Sequence, residues 1–395
     1  MFKKVLVLLL SLVMVFTFAA CNDGGGTTTT PTGTTPPPDV NLGAVMDLTG
    51  ALSGIGTSLA DSIRLAVEQV NAAGGINGAQ IKLFVEDGKT DPAVAFEAIK
   101  KLKTLNNCNV IIGPMISGAV LSSGQWAFDN KVLLISPSAT SPQIAQQAWR
   151  PFFIRTAVAD TLQGKAMAQL ITEGGYQRVA IIVQNNQYGV GIADTVRGLV
   201  GTGKVVEEIR YDPTKLDYLT ELQQIKAKNP DVIVHAGYED DAVIVFKQAA
   251  QVGLDTAKWI TSEGVKADKT IADAQAAAFM AKVVQGTNPV APAGSTLAAT
   301  FAAQYKAKYN RDSGTYNDTV YDATMLALKA MQNVGATDTA KIAAEVLKLG
   351  KNYAGVSGVI TFDAFGDRTT GTFEVWKVVL SGTTYKYEQV KLITP

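Results

Sequence analysis

Histidine and cysteine are almost missing from this chain of 395 residues, which holds one histidine, His235, and two cysteines, Cys21 and Cys108. No Cys/His group has metal-ligand spacing, and no Gly-x-Ser-x-Gly elbow is present, so no metal or cofactor is implied and nothing announces catalysis. Excess positive charge is also lacking. Lys plus Arg number 35 against 35 for Asp plus Glu, and no Arg-rich block occurs, which argues against nucleic acid as a partner. Beyond residue 20 there is no second long apolar run, and the chain closes on "YEQVKLITP". It therefore does not read as a membrane-spanning receptor.

The one long apolar run is at the start. In "MFKKVLVLLLSLVMVFTFAAC", Lys3 and Lys4 precede an apolar stretch, and Ala19 and Ala20 lead into Cys21. This is the anatomy of a secretory signal peptide over 1–20. Its end resembles a bacterial lipobox, with Phe18 where leucine is usual, which implies cleavage before Cys21 and lipidation of its thiol. "NDGGGTTTTPTGTTPPP" follows, with no apolar side chain beyond proline, so residues 21–39 read as a lipidated cysteine and a flexible Gly/Thr/Pro linker. With Cys21 committed to lipid, Cys108 has no disulfide partner and reads as a small buried hydrophobe. The remaining residues, enough for two domains, must be held by their core.

From residue 40 the pattern alternates short apolar runs with longer amphipathic ones. "VNLGAVMDLTG" reads as a strand, and "TSLADSIRLAVEQVNAAGG" as a helix ended by Gly74 and Gly75. "DPAVAFEAIKKLKTL" carries proline just inside its start, a helix signature. The rhythm recurs through "NVIIGPMIS", "VLLISPSAT", "RVAIIVQ", "DVIVHAG" and "KWITSEG". Such alternation predicts an α/β fold of two doubly wound parallel-sheet lobes, with ligands taken at the carboxyl ends of the strands.

Several motifs have plain structural readings. "GLVGTGK" (198–204) has the glycine and lysine spacing of a phosphate loop, but Val205 stands where Ser or Thr must hold Mg²⁺, and the stretch closes a helix instead of opening one. It reads as a helix C-cap. His235, inside "VIVHAG", reads as a satisfied core histidine. Asp240 and Asp241 lie at a helix start, where the dipole favours acids.

The strand ends carry more. "LLISPSATSPQ" (133–143) runs from a buried strand into Ser136, Ser138, Thr140 and Ser141. A capped turn accounts for it, as does a site for a small polar ligand. Ser117, in "GPMIS", lies where a helix would start, a place that attracts a carboxylate. Thr140 offers the same, and the Ser138 carbonyl is an acceptor for an ammonium. Tyr188 and Tyr238 project from the second half, and "ITSEG" supplies Glu263. Together these suit a zwitterion, both of whose charges need partners when buried.

"NAAGGINGAQIKLFVEDGKTDPAVA", "ISPSATSP", "QYGVG", "AGYEDDA" and "SEGV" resemble, in this order, stretches of the periplasmic leucine/isoleucine/valine-binding proteins, from about residue 40 to the C-terminus. The resemblance implies the type I periplasmic binding protein fold, with two lobes joined by three hinge crossovers near 156, 286 and 360. The N-terminal lobe would be 40–156 plus 287–359, and the C-terminal lobe 157–286 plus 360–395. It implies that Ser117 and Thr140 hold an α-carboxylate. Ser138, Ala139 and Thr140 form the adjoining binding segment, with the Ser138 carbonyl on the ammonium. It implies that Glu263 pairs with that ammonium and that Tyr188 and Tyr238 close over the ligand. A tryptophan of some members is Ile55 here, and a cysteine of some members is Ile116. Ile55, Met115 and Ile116 are then the side-chain pocket, apolar and suited to aliphatic ligands.

The expectation is an extracytoplasmic substrate-binding lipoprotein of an ABC importer, not an enzyme, that closes like a hinge on a branched-chain or aliphatic amino acid. Its partners would be that ligand and membrane permease subunits, the chain itself being a lipid-anchored monomer. The alternative is a binding protein or sensor for amides, urea or small aliphatic acids. An enzyme on the same scaffold has only the Ser/Thr-rich cleft in its favour.

Overall fold

The structure, a computed structural model, describes residues 37–395. The leader, Cys21 and most of the linker lie outside the described residues.

Lobe 1 begins with β1 (Val40–Met46), α1 (Ser53–Ala72), β2 (Ile81–Asp87), α2 (Pro92–Asn106), β3 (Val110–Ile112), α3 (Ser117–Asp129), β4 (Leu133–Ser136) and β5 (Phe153–Val158). The chain then builds lobe 2 with α4 (Asp160–Glu173), β6 (Val179–Gln184), α5 (Gln187–Val200), β7 (Val205–Tyr211), α6 (Leu219–Ala227), β8 (Val232–Ala236), α7 (Glu239–Val252), β9 (Lys258–Thr261), α8 (Asp268–Ala272), α9 (Ala274–Val283) and β10 (Val284–Val290). It returns to lobe 1 for α10 (Thr296–Tyr309), α11 (Asn317–Val334), α12 (Thr339–Leu349), the hairpin β11 (Lys351–Gly355) and β12 (Gly358–Thr361), and the short β13 (Asp367–Arg368). It ends in lobe 2 with β14 (Thr372–Ser381) and β15 (Thr384–Ile393).

The six-stranded sheet runs β13-β5-β4-β3-β1-β2 and the seven-stranded sheet β15-β14-β10-β9-β8-β6-β7. Within these two sheets the strand pairs are parallel except those made by β14 and β15, and the separate β11–β12 hairpin is antiparallel. Counted within each lobe, the first five strands share one order, 2-1-3-4-5, whose switch point lies between the first and third strands. The central strands β3, β4, β6 and β8 are buried along their whole length. That explains why Val, Ile and Leu dominate them, since helices cover both faces of such a sheet.

Local chemistry sets the helix ends. Asp91 caps α2 by accepting from Ala93 N at 2.8 Å and Val94 N at 2.9 Å, with Pro92 at the first helical position. "GLVGTGK" closes α5 and, after Gly201 at φ 88°, opens β7, as a C-cap should. Cys108 is buried and free. His235 is fully buried in β8, against Tyr211 Oη at 3.2 Å and Thr261 Oγ1 at 3.1 Å.

The three changes of lobe fall after Val158, after Val290 and between Arg368 and Thr372. The third comes later than the expected 360, because β13 pairs with β5 in the first sheet. Asp367 of β13 is drawn there by the buried guanidinium groups of Arg150, at 2.7 Å, and Arg155, at 2.6 Å. Among the described residues, no helix is long and apolar enough to cross a membrane.

Candidate functional site

The loops after β1, β3 and β4 face those after β6, β8 and β9, so the two switch points confront each other. One cavity lies between them. Its lobe 1 wall is Leu52, Ile55, Met115, Ile116, Ser117 and Ser138, and lobe 2 contributes Tyr188, Tyr238, Glu263 and Gly264. Tyr316, from the turn before α11, completes the lining. Eight of the residues singled out in the sequence thus meet at one place. Ala139 and Thr140 are buried but do not line the cavity. The Ala139 carbonyl accepts from Arg155 Nη1 at 3.2 Å, so it is already engaged.

The hydroxyl cluster divides into two kinds. Ser136 Oγ donates to the Pro114 carbonyl at 2.7 Å, and Ser138 Oγ to the Met115 carbonyl at 3.1 Å, which ties the β4 loop to the β3 loop. Those two hydroxyls are structural, although the Ser138 backbone remains on the wall. Ser117 begins α3, whose preceding residue Ile116 offers no side-chain cap. Its Oγ accepts from Ser141 N at 3.2 Å and keeps its proton for an acceptor in the cleft. Thr140 Oγ1 is buried without a protein partner. Ser117 is therefore the hydroxyl that faces the cavity, together with the free N–H groups of α3, while Thr140 is buried behind the lining beside Asp160.

Two acids are buried here as well. Glu263 is buried, with Gln163 Nε2 donating to Oε2 at 2.6 Å and Tyr316 Oη donating to Oε1 at 2.9 Å. Asp160, the first residue of α4, is wholly buried and neither of its oxygens has a protein partner. Burial pushes the Asp160 carboxyl well above its ordinary value. The nearby Glu263 adds to the rise, while Thr140 and the charge of Arg155 oppose it. Burial also raises Glu263, opposed by its backbone amide and by Gln163 and Tyr316. A cation with several N–H donors placed here would pair both acids and remove most of that penalty.

Aromatic rings form the lobe 2 face. Tyr188 and Tyr238 stack with centroids 5.5 Å apart and planes within 15°. Tyr188 Oη donates to Ser262 Oγ at 2.6 Å, which fixes the ring. Gly264 is required beside them, because a Cβ would approach the Gly237 carbonyl to 2.5 Å and Tyr188 Oη to 3.3 Å. The facing wall of Leu52, Ile55, Met115 and Ile116 has no charged atom, so the part of a ligand between the two polar ends meets only apolar surface. A larger, open groove between α7 and α9, bordered by Leu216 and Phe279, holds none of these residues.

Five residues in or beside the site, Leu52, Asp160, Gln163, Gly264 and Tyr316, were not found from the sequence. Asp160 had a signal, since "TAVADTLQG" places an acid directly after an apolar strand. An acid at a helix start has an ordinary dipole role, however, and that masks it. Tyr316 had none, because it arrives from a turn some 50 residues beyond Glu263.

The periplasmic binding protein family matches residues 39–383. The leucine-, isoleucine-, valine-, threonine- and alanine-binding protein of Pseudomonas aeruginosa is 27% identical over 334 residues, covering 84% of this chain and 87% of that protein. Among solved structures, the branched-chain amino acid transporter substrate-binding protein of Streptococcus pneumoniae, in complex with isoleucine, is 26% identical with a TM-score of 0.78. It covers 90% of this chain and 100% of its own. An ABC-transporter solute-binding protein of R. palustris in complex with benzoate matches with a TM-score of 0.78 at 18% identity. It covers 90% of this chain and 97% of its own, a likeness of fold alone.

Proposed function

Because the chain belongs to the periplasmic binding protein family, we propose that it binds a branched-chain or aliphatic amino acid between its lobes and delivers it to an ABC permease. The observation that carries this reading is the pairing of opposite chemistries across one apolar cavity. Ser117 and the start of α3 stand on one wall and Glu263 on the wall of the other lobe, with Thr140 and Asp160 buried side by side behind the lining. In this reading Ser117, Thr140 and the start of α3 take the α-carboxylate. Glu263, Asp160 and the Ser138 carbonyl take the ammonium. Tyr188 and Tyr238 exclude water on closure, and Ile55, Met115 and Ile116 receive the side chain. The chain acts outside the cytoplasm as a monomer, tethered through lipid on Cys21 and its linker, and it performs no catalysis.

A second reading is favoured by one observation, the scaffold's ability to hold benzoate in a fold neighbour. A chain of this kind could serve a small acid, an amide or urea. The buried Glu263 on the cavity wall weighs against an anion, since it would meet a like charge in a dry site.

The test is a thermal-shift screen of the full chain, detergent-solubilised where lipidated, against the amino acids, urea, short amides and short-chain acids. A ligand at about 100 times its Kd adds roughly 2.7 kcal/mol. Stabilisation by leucine, isoleucine or valine supports the reading. A response to acids or amides alone replaces it with the second, and a flat panel removes both.

A further inference from the structure

We infer that Glu239 is a closure latch, a positioning residue of lobe 2 that caps the bare N-terminus of α1 in lobe 1 and so governs how long the cleft stays shut. The inference rests on the cleft being the ligand site, although Glu239 itself does not line the cavity.

The sequence leaves α1 without a cap of its own. Its N-cap residue is Leu52, which offers no side-chain acceptor, and its first turn contains no acid. The first N–H groups of any helix lack partners inside it, and their partial positive charge favours an anion. That anion comes from the other lobe. Glu239, the first residue of α7 and wholly buried, accepts from Ile55 N at 2.8 Å across 184 residues of chain. Gly54 makes the room, since a Cβ there would stand 2.4 Å from Glu239 Oε2. Burial raises the Glu239 carboxyl, and the amides of Ile55 and Gly54 and the charge of Lys269 hold it down. The contact therefore engages two groups at once, Oε1 of a buried acid and the Ile55 N–H of an open helix end, while Oε2 has no protein partner.

Position makes it a latch. Tyr238, the residue before Glu239, and Ile55, whose N–H it receives, are both cavity walls. The bond joins the two lobes beside the ligand without touching it. Opening the cleft breaks it whatever the ligand is, so its loss should change every affinity by one factor and leave selectivity alone.

The experiment uses the full chain with one fluorophore on each lobe, and compares wild type with Gly54→Ala, Glu239→Ala, the double variant and Glu239→Gln. Energy transfer reports the closed fraction without ligand, and calorimetry with stopped flow gives Kd and koff for leucine, isoleucine and valine. Each single variant is expected to lower the ligand-free closed-to-open ratio about tenfold, the size of a charge-assisted hydrogen bond. All three Kd values should rise by that same factor, mainly through koff. The double variant should be no worse than Glu239→Ala, because the Gly54→Ala methyl obstructs only the carboxylate. Glu239→Gln, isosteric with the native residue, should lie in between. Additive single effects, unchanged closure, or a loss confined to one ligand would overturn the latch. If wild type binds none of the three amino acids, the ligand assignment fails while the closure cycle still decides the latch.

Discussion

Tyr316 and Glu263 join the two lobes directly. The phenol, carried by lobe 1 in the turn before α11, donates to Glu263 Oε1 at 2.9 Å. Tyr316 sits at φ 64°, in the left-handed region that a bulky residue rarely adopts, at a cost of order 1 kcal/mol or more. The strain aims the ring at the acid of the opposite lobe. The acid assigned to the ligand's ammonium is thus oriented partly by closure itself.

Removing that hydroxyl tests its part. Tyr316→Phe keeps the ring on the cavity wall and loses one charge-assisted hydrogen bond. The expected result is a Kd for leucine, isoleucine or valine raised about tenfold, with their rank order kept. Calorimetry measures it, and an unchanged Kd would take the phenol out of the site.

The two acids should be unequal to their amides. Glu263→Gln and Asp160→Asn are each expected to weaken amino-acid binding by about 100-fold or more, because an ammonium would be left with one charge partner in a dry cavity. Free of ligand, Asp160→Asn should stabilise the fold, as it removes a wholly buried carboxyl with no protein partner. Thermal denaturation with and without ligand separates the two effects.

The apolar wall sets side-chain size. Ile55→Ala should cost about 2–4 kcal/mol of stability through the space it leaves. It should also weaken valine while admitting phenylalanine, a reversal of preference that competition binding would show. If valine and phenylalanine change together, Ile55 does not border the ligand side chain.

Asp47 supplies a pH dependence outside the site. It is buried, its Oδ2 has no partner, and burial pushes its carboxyl up to about 7. Between its ordinary value of 3.8 and 7 the folded chain holds a proton that the unfolded chain releases, so this group's contribution to stability falls as pH rises through that window and stays low above it. Asp47→Asn is expected to raise the stability at pH 8 by about 2 kcal/mol and to change it little at pH 4. Urea melts at the two pH values check it.

Asp367 has the opposite sign. Burial alone would raise it, but the charges of Arg155 and Arg150 hold it below the usual carboxylate range. Its contribution is present above the ordinary value and is lost as pH falls through the depressed one. Asp367→Asn leaves two buried guanidinium groups short of a counter-charge and should cost about 3–5 kcal/mol at neutral pH. A smaller loss at acid pH than at neutral pH is the signature to look for.

The alternation of apolar runs and amphipathic stretches was enough to read two parallel-sheet lobes, because a strand buried on both faces must be apolar along its length, as "LLI" and "VAIIV" are. It was also enough to place Ser117, Ser138, Tyr188, Tyr238 and Glu263 at strand ends, where a sheet of this order opens its crevice. The third crossing was misplaced because β13 is two residues long and is held in lobe 1 by charge pairing with Arg150 and Arg155, which leaves no periodicity to read. Of the hydroxyls in "SPSAT", the sequence could not say which were spent on the β3 loop, since that depends on the carbonyls of Pro114 and Met115 coming within 3.1 Å.

By itself, then, the sequence determined the two parallel-sheet lobes and most of the residues at the cleft, since these follow from local hydrophobic pattern and turn chemistry, while the strand order came from the structure. Tertiary structure alone decided that Asp160 stands unpartnered near Glu263, that Tyr316 reaches across to the same acid, and that Glu239 caps a helix 184 residues away. Each is a contact between segments remote in sequence. Its energy comes from burying charge and polar groups together, which no window of neighbouring residues can record.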